Sequence, residues 1–477
     1  MRTSIIGIAA MLAATLAAAS VAHGDVIIKL KNGVEIKVPV NKDDIASITM
    51  EEGGRSASAS PPSAPPPPVV PETPAKPTEY SQAPPSPEEL AQAKGPELPG
   101  ASGFKPGAFS KDGAAGGSSG RIVHVGPGKD YEKLGDVAAS LQNGDVVEIE
   151  GGLYLNDFAS IAASDITLRG VHGRPHFRAT VGPPNNKGIW VLSGDNVSVD
   201  NIEFSGAVVP DLNGAGIRYE GAKLDVRNSS FHHNQSGILT INRPDMVVEI
   251  RNSEFAYRIH AGSGQAHGIY IGTAKRVVVM NSYFHHNDVG HHIKVRGAEN
   301  WILYNKVTDQ NGGASYLVEA PNCGSTYVIG NVLQKGANAE NSNAVSYGAE
   351  GCEGKPLGLY VTSNTMVNDR HAGTFVLNRS GTTAFVANNL LVGRMELADG
   401  PAKDVNNLIR SSEKFVDRAK YDFHLADGAD AIDDGVKVGN AGKTSLMPAN
   451  EYAFPKPMTP RKVVGDLDVG AYEYGGK

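Results

Sequence analysis

Cysteine is almost missing from this chain: Cys323 and Cys352 are the only two in 477 residues. Two thiols are too few for a thiolate zinc centre. Tryptophan is equally scarce, with Trp190 and Trp301 alone, so an exposed aromatic strip of the kind a sugar-binding groove displays has few candidates. A large charge of one sign is absent too. The formal net charge is -7 and the basic residues are scattered, which excludes the basic face that nucleic-acid binding requires. Long apolar runs occur nowhere after the first 24 residues, so no later segment is expected to cross a bilayer as a helix.

The amino end carries what the rest lacks. Residues 1–24 open with Arg2, run apolar from Ile5 to Ala19 and finish in Ala22-His23-Gly24. A charged start, a short apolar stretch and a small-residue cleavage site read as a secretory signal, and the run is shorter than a spanning helix needs. The mature protein is therefore expected to be exported, periplasmic or extracellular.

Three zones follow. In residues 25–50, Val-Ile-Ile-Lys-Leu and Val-Glu-Ile-Lys-Val flank Asn32-Gly33, which predicts a small β-hairpin module. An isolated hairpin is marginal in water, so it should pack on a partner that the sequence does not identify. Residues 51–120 hold 15 of the 29 prolines among Ala, Ser and Gly and read as a disordered linker. Residues 121–477 form the third zone. Length alone would suggest about three domains, but a solenoid grows along one axis and escapes that rule.

The third zone repeats itself. β-branched residues precede an Asn, and a large apolar residue follows three positions on: Asn201 with Phe204, Asn228 with Phe231, Asn252 with Phe255, Asn281 with Phe284. Weaker copies stand at Asn305, Asn331, Asn364 and Asn388, giving steps of 27, 24, 29, 24, 26, 33 and 24 residues. Parallel strands about 4.8 Å apart stack equivalent side chains in columns. Apolar positions then make a continuous core, while inward Asn side chains satisfy turn backbone from coil to coil. Leucine-rich repeats and propellers have different spacings. The prediction is an all-β protein, a right-handed parallel β-helix solenoid. A capping helix is expected over residues 131–141, a first strand over residues 145–149, and an irregular segment at residues 439–462 packed on the stack.

Cys323 and Cys352 lie 29 residues apart, close to one coil, and each follows a strand by a few residues. In an oxidising compartment this spacing predicts a disulfide.

Strand parity gathers the candidate chemistry. With Ile269, Ile271, Ile293, Val295 and Val318 inward, Tyr270, His292, Lys294, Arg296 and Glu319 are expected on one external face, with His267 and His291 aligned at the strand entrance. Each of these residue types also has an ordinary reading as solvated surface, strand cover or ion-pair partner. His232-His233 and His285-His286 read as turn residues, and Asn300 and Asn305 as structural.

Val125-Gly-Pro-Gly128, the Asn-x-x-Phe coils and Asp468-Val-Gly-Ala-Tyr-Glu473 resemble the pectin-lyase-like superfamily of right-handed β-helix proteins. Locally, residues 293–300 with Tyr304-Asn305 resemble chondroitinase-B-type and alginate lyases, in which a Lys base precedes an Asn; here Arg296 takes that place, with Lys294 nearby. The resemblance implies an acidic polysaccharide as partner and β-elimination as reaction. That chemistry needs a base, a positive group or Ca²⁺ for the carboxylate, and an acid for the leaving oxygen. Lys294, Arg296, His267, His291 and Tyr270 are the catalytic candidates, and His292 and Glu319 the substrate-binding ones. No clear Ca²⁺ or other metal site is legible. The paired Asp residues of polygalacturonases and the Asp-Pro-His-Asp signature of mannuronan epimerases are missing, since Asp433-Asp434 lies beyond the clear coils. A polysaccharide lyase is the leading reading. A non-catalytic glycan-binding or envelope structural protein and a C5-epimerase stand as alternatives.

Overall fold

A computed structural model describes residues 120–257 and 266–475, and the backbone of residues 25–29 and 35–39. The expected signal and nearly all of the expected linker lie outside the described residues. Asp25–Lys29 and Glu35–Pro39 pair antiparallel, with Asp25 opposite Pro39.

Residues 121–257 and 266–410 wind as a parallel β-solenoid of about 11 turns. Each full coil contributes a strand to each of three walls, and each strand pairs in parallel with its equivalent one coil on. The first wall is seen in Ser236–Thr240 and the opening of Ile269–Met280 and Ile293–Leu303, which pair Ile269 with Ile293 and Tyr270 with Lys294. The second wall is the remainder of those two long strands. The third is short, as in Ser230–His232, Glu254–Ala256 and Tyr283–His285.

The Phe column forms at the third wall. Phe204, Phe231, Phe255 and Phe284 are buried, and successive ring centroids lie 5.1, 4.8 and 4.6 Å apart. Val307, Leu333, Met366 and Leu391 continue the column in register.

The Asn repeat separates into two columns. Asn201, Asn228, Asn252, Asn281, Asn388 and Asn406 sit at positive φ, the left-handed turn conformation that Asn tolerates, and Tyr304, Gly330 and Ser363 fill the same position between them. One residue further on runs a buried ladder. Ser229, Ser253 and Ser282 Oγ each accept an N–H from the preceding coil at 3.2 Å. Asn305 Oδ1 accepts from Ser282 N at 3.0 Å. Asn331, Asn364 and Asn389 repeat the bond at 2.9 Å and Asn407 at 3.0 Å. The expected step from Asn281 to Asn305 therefore crosses between columns, because Met280 pairs with Leu303 and so Asn281 aligns with Tyr304.

The amino-terminal cap is smaller than expected: a turn of α-helix at Leu134–Val137 continues as 3₁₀ over Ala138–Ser140. Tyr131 bridges to Val125 and Lys133 is extended, which delays the helix. Asp157 ties down its start, accepting from Leu134 N and Gly135 N at 2.8 Å. Leu134 and Val137 close the open end of the core. The first solenoid strand is Ile122–Val125, one coil before the expected one, and it pairs with residues 146–149.

Beyond residue 410 the chain turns back over the stack in short antiparallel pairs. Val438, Ala441 and Leu446 bury the outer face of the second wall at Met280, Trp301, Tyr327 and Tyr360. Phe423, Leu425, Val469 and Ala471 cover the third wall at Val332, Val367 and Leu390. Those walls therefore carry apolar residues on both faces, whereas the first wall presents polar and charged side chains outward at the same coils.

Candidate functional site

The outward column of the first wall places Tyr270, Lys294, Glu319 and Ser346 on four successive coils. Inward neighbours Ile269, Ile271, Ile293, Val295 and Val318 are fully buried and fix the orientation. A register shift between Ile271 and Thr273 sets Arg296 opposite Thr273 rather than Gly272. This bulge brings its guanidinium over Tyr270: Arg296 Nε donates to Tyr270 Oη at 3.0 Å, and Arg296 Cζ and Lys294 Nζ lie 5.4 and 5.7 Å from the ring centroid.

His267 and His291 stand on the neighbouring outward position, their rings stacked at 4.9 Å. Their Nδ1 atoms accept peptide N–H groups, His267 from His291 and His291 from Tyr316, both at 3.2 Å. That leaves Nε2 as the proton-bearing nitrogen of a neutral ring, and His291 Nε2 faces Glu319 Oε2 at 3.1 Å.

His292 is elsewhere. A bend just before the strand at Ile293 breaks the alternation, and its side chain is fully buried. His292 Nε2 meets Asp309 Oδ1 at 2.9 Å and Nδ1 meets the Asn287 amide at 2.8 Å. The expectation that it lines the external face is corrected: it belongs to an internal polar cluster in which Asp309 Oδ2 also lies 3.5 Å from Lys335 Nζ.

Four residues of the site were not singled out in the sequence: Asn322, Glu350, Lys355 and Tyr316. Lys294 Nζ lies 3.0 Å from both Glu319 and Glu350. Glu350 also holds Arg296 at 2.6 Å, Asn322 Oδ1 accepts from Arg296, and Lys355 Nζ donates to Arg296 O at 2.6 Å. Asn322 and Glu350 flank the Cys323–Cys352 disulfide, whose Cα atoms are 5.1 Å apart. Their one available signal was proximity to that pair. Gly348 starts the loop at φ 77°, where a Cβ would press on both sulfurs at 3.0 Å.

Burial works to raise the Glu319 carboxyl, but the His291 hydrogen bond and the Lys294 ammonium outweigh it and hold the group below its ordinary range. Glu350 shows the same balance, burial opposed by Lys294 and Arg296, with the same net direction. Burial disfavours the Arg296 cation, and Glu350 and Tyr270 more than compensate, so it stays charged. Lys355 is pushed down by burial and by Arg296. The arrangement is two strong cations, a phenol and a Glu–His pair. Glu350, 43% exposed at its side chain, is the member facing solvent.

A parallel β-solenoid of this kind defines the class as a right-handed parallel β-helix. Residues 215–391 match the family model described as "Right handed beta helix region". The pectate lyase Pel9A structure is similar over 75% of this chain and 98% of its own, at 16% identity and a TM-score of 0.52. The alginate lyase AlyGC covers 69% of this chain and 58% of its own at 12% identity, TM-score 0.32. The Azotobacter vinelandii mannuronan C-5 epimerase AlgE6 A-module covers 58% and 93% at 13% identity, TM-score 0.32. No curated protein sequence matches the chain. The family match and the Pel9A likeness establish the fold and leave the chemistry to the residues. Among the described residues, no helix is long and apolar enough to cross a membrane.

Proposed function

We propose that the chain is an exported polysaccharide lyase that cleaves a uronic-acid polymer by β-elimination along the first wall. The observation that carries this reading is the convergence of Tyr270, Lys294 and Arg296 on one outward patch. The substrate carboxylate takes the place of Glu350 on Arg296, which neutralises the charge that builds as the α-proton leaves. Lys294, released from Glu350 and converted to the neutral amine by loss of its proton to bulk water, removes the C5 proton and becomes the ammonium. The electron pair forms the C4–C5 double bond, the C4–O bond breaks, and Tyr270 gives its proton to the leaving oxygen. Glu319 and His291 hold Lys294 in place. No step here is assigned to a metal, and Ca²⁺ stands as an alternative source of the positive charge at the carboxylate.

One observation favours a second reading, a non-catalytic glycan-binding wall: Lys294 and Arg296 already have carboxylate partners. Incubation with pectate, alginate, glucuronan and glycosaminoglycans separates the readings. A lyase produces new ultraviolet absorbance from unsaturated ends, lost in Lys294→Ala and Arg296→Ala. Binding without absorbance supports the second reading. Inverted sugar configuration without chain shortening supports a C5-epimerase.

A further inference from the structure

The third wall carries a separate cluster outside the first-wall site. His176, Glu203 and Ser230 follow one another along one outward column, and Ser205 and His232 along the next, on either side of the inward Phe column. The diagonal between them brings His176, Glu203 and His232 together from three successive coils, with their ligand atoms within 4.8 Å of one another. His232 Nε2 is 2.9 Å and His176 Nδ1 3.3 Å from Glu203 Oε1.

We propose that His176, Glu203 and His232 form a Zn²⁺ site that ties three successive coils together, with a further coordination position open to solvent. Two imidazoles and one carboxylate are a donor set that suits zinc, and three protein ligands plus water is the pattern of an open site. The side chains are 24, 27 and 26% exposed, which leaves that position accessible.

The second observation is how each imidazole is held from behind. His176 Nε2 lies 2.7 Å from Ser205 Oγ, and His232 Nδ1 lies 2.9 Å from His233 Nδ1. Such outer contacts orient ligating histidines and fix which nitrogen keeps its proton. For His176, Nε2–H donates to Ser205 and Nδ1 keeps its lone pair toward Glu203. For His232, Nδ1–H donates to His233 and Nε2 is freed for the ion. Binding thus exchanges tautomers in the His232–His233 pair. Glu203 is the one carboxylate of the donor set. Arg174 and Arg178 oppose a cation here, which selects for ligands that bind by coordination rather than by charge alone.

The next coils provide an internal comparison. His285 Nε2 meets Glu254 at 3.0 Å and its Nδ1 meets His286 at 2.6 Å. Ser230 holds the position one coil before Glu254 that His176 holds before Glu203, so this second unit lacks the third ligand.

The test uses the untagged full chain, stripped with chelator and titrated with Zn²⁺ by calorimetry. Expected are one ion per chain, a rise in melting temperature with zinc, and visible absorption when Co²⁺ is loaded instead. Glu203→Gln and His232→Ala should weaken binding by at least about 10-fold, and Ser205→Ala by about 10-fold. His285→Ala should bind as the parent does. Circular dichroism of the metal-free variants separates lost coordination from lost fold, and Glu203→Gln keeps the shape of the side chain. Absence of saturable binding to the folded parent, unchanged affinity in folded Glu203→Gln, or equal loss in His285→Ala would overturn the assignment.

Discussion

Arg296 Nε donates to Tyr270 Oη at 3.0 Å across two adjacent coils, so the phenol and the guanidinium act as one unit. The fork of Arg296 reaches Glu350 and Asn322 at the same time, which an ammonium has no geometry to copy. If the wall is catalytic, Arg296→Lys should lose about 10²–10³-fold in kcat, because the charge remains but the oriented donors do not. Melting temperature should move little in comparison. Absorbance assays on the polymer that responds, alongside thermal melts, check both statements. Parent-like turnover in Arg296→Lys would remove Arg296 from the reaction.

Glu319 makes the wall sensitive to acid. Its carboxyl is held low by His291 and Lys294 against the opposing effect of burial. A folded value below the unfolded one contributes stability that is complete above the ordinary carboxylate value, about 4.3, and is lost as pH falls through the lower folded value. The parent should therefore lose melting temperature on acidification more steeply than Glu319→Gln. Thermal melts from about pH 6 to about pH 3 test this. Parallel curves would mean that the Glu319 pairs contribute nothing net. Glu350 has the same direction but is half-exposed, so solvent screens its share.

Asp309, Lys335 and His292 are buried together, and burial depresses the Lys335 ammonium despite the adjoining carboxylate. Removing the anion alone strands the cation. Asp309→Ala should cost about 3–5 kcal/mol, whereas Asp309→Asn with Lys335→Met should recover part of that loss. Denaturant unfolding of the single and double variants measures the difference. A double variant less stable than either single would show that the cluster is held by contacts other than charge.

How much of this could be read from the residues differs between the core and the site. The Phe column was legible because a side chain stacked at every coil leaves a period in the sequence, as Phe204 to Phe284 do. The Asn column was blurred by one position at Asn305. Turn position and ladder position both favour Asn, for different reasons: positive φ at Asn281, and a buried amide at Asn305. Side-chain type alone does not separate them. Parity placed Tyr270, Lys294 and Glu319 in one column because strands alternate strictly, and it failed at His292 because a bend precedes the strand. Glu350 and Asn322 left no periodic signal, since loops obey no period, and only their nearness to the cysteine pair pointed to them. They are fixed by a covalent link and a tight turn.

That link supports the last prediction. Cys323 and Cys352 are bonded across a separation of 29 residues. On the chain-entropy view, closing such a loop stabilises the fold by about 3–4 kcal/mol. The bond also anchors the segment that presents Glu350 to Lys294 and Arg296, with Asn322 Nδ2 donating to Glu350 O and Gly351 O at 3.3 and 3.2 Å. Breaking it should lower the melting temperature and release Glu350, exposing residues 348–356 to protease while the solenoid core persists. Cys323→Ser with Cys352→Ser should reproduce the reduced state and should no longer respond to reductant. Thiol counting with and without reductant, paired with limited proteolysis, reads the two effects separately. If two thiols titrate without reductant, the bond is not formed in solution and the ordering of Glu350 must come from its salt bridges alone.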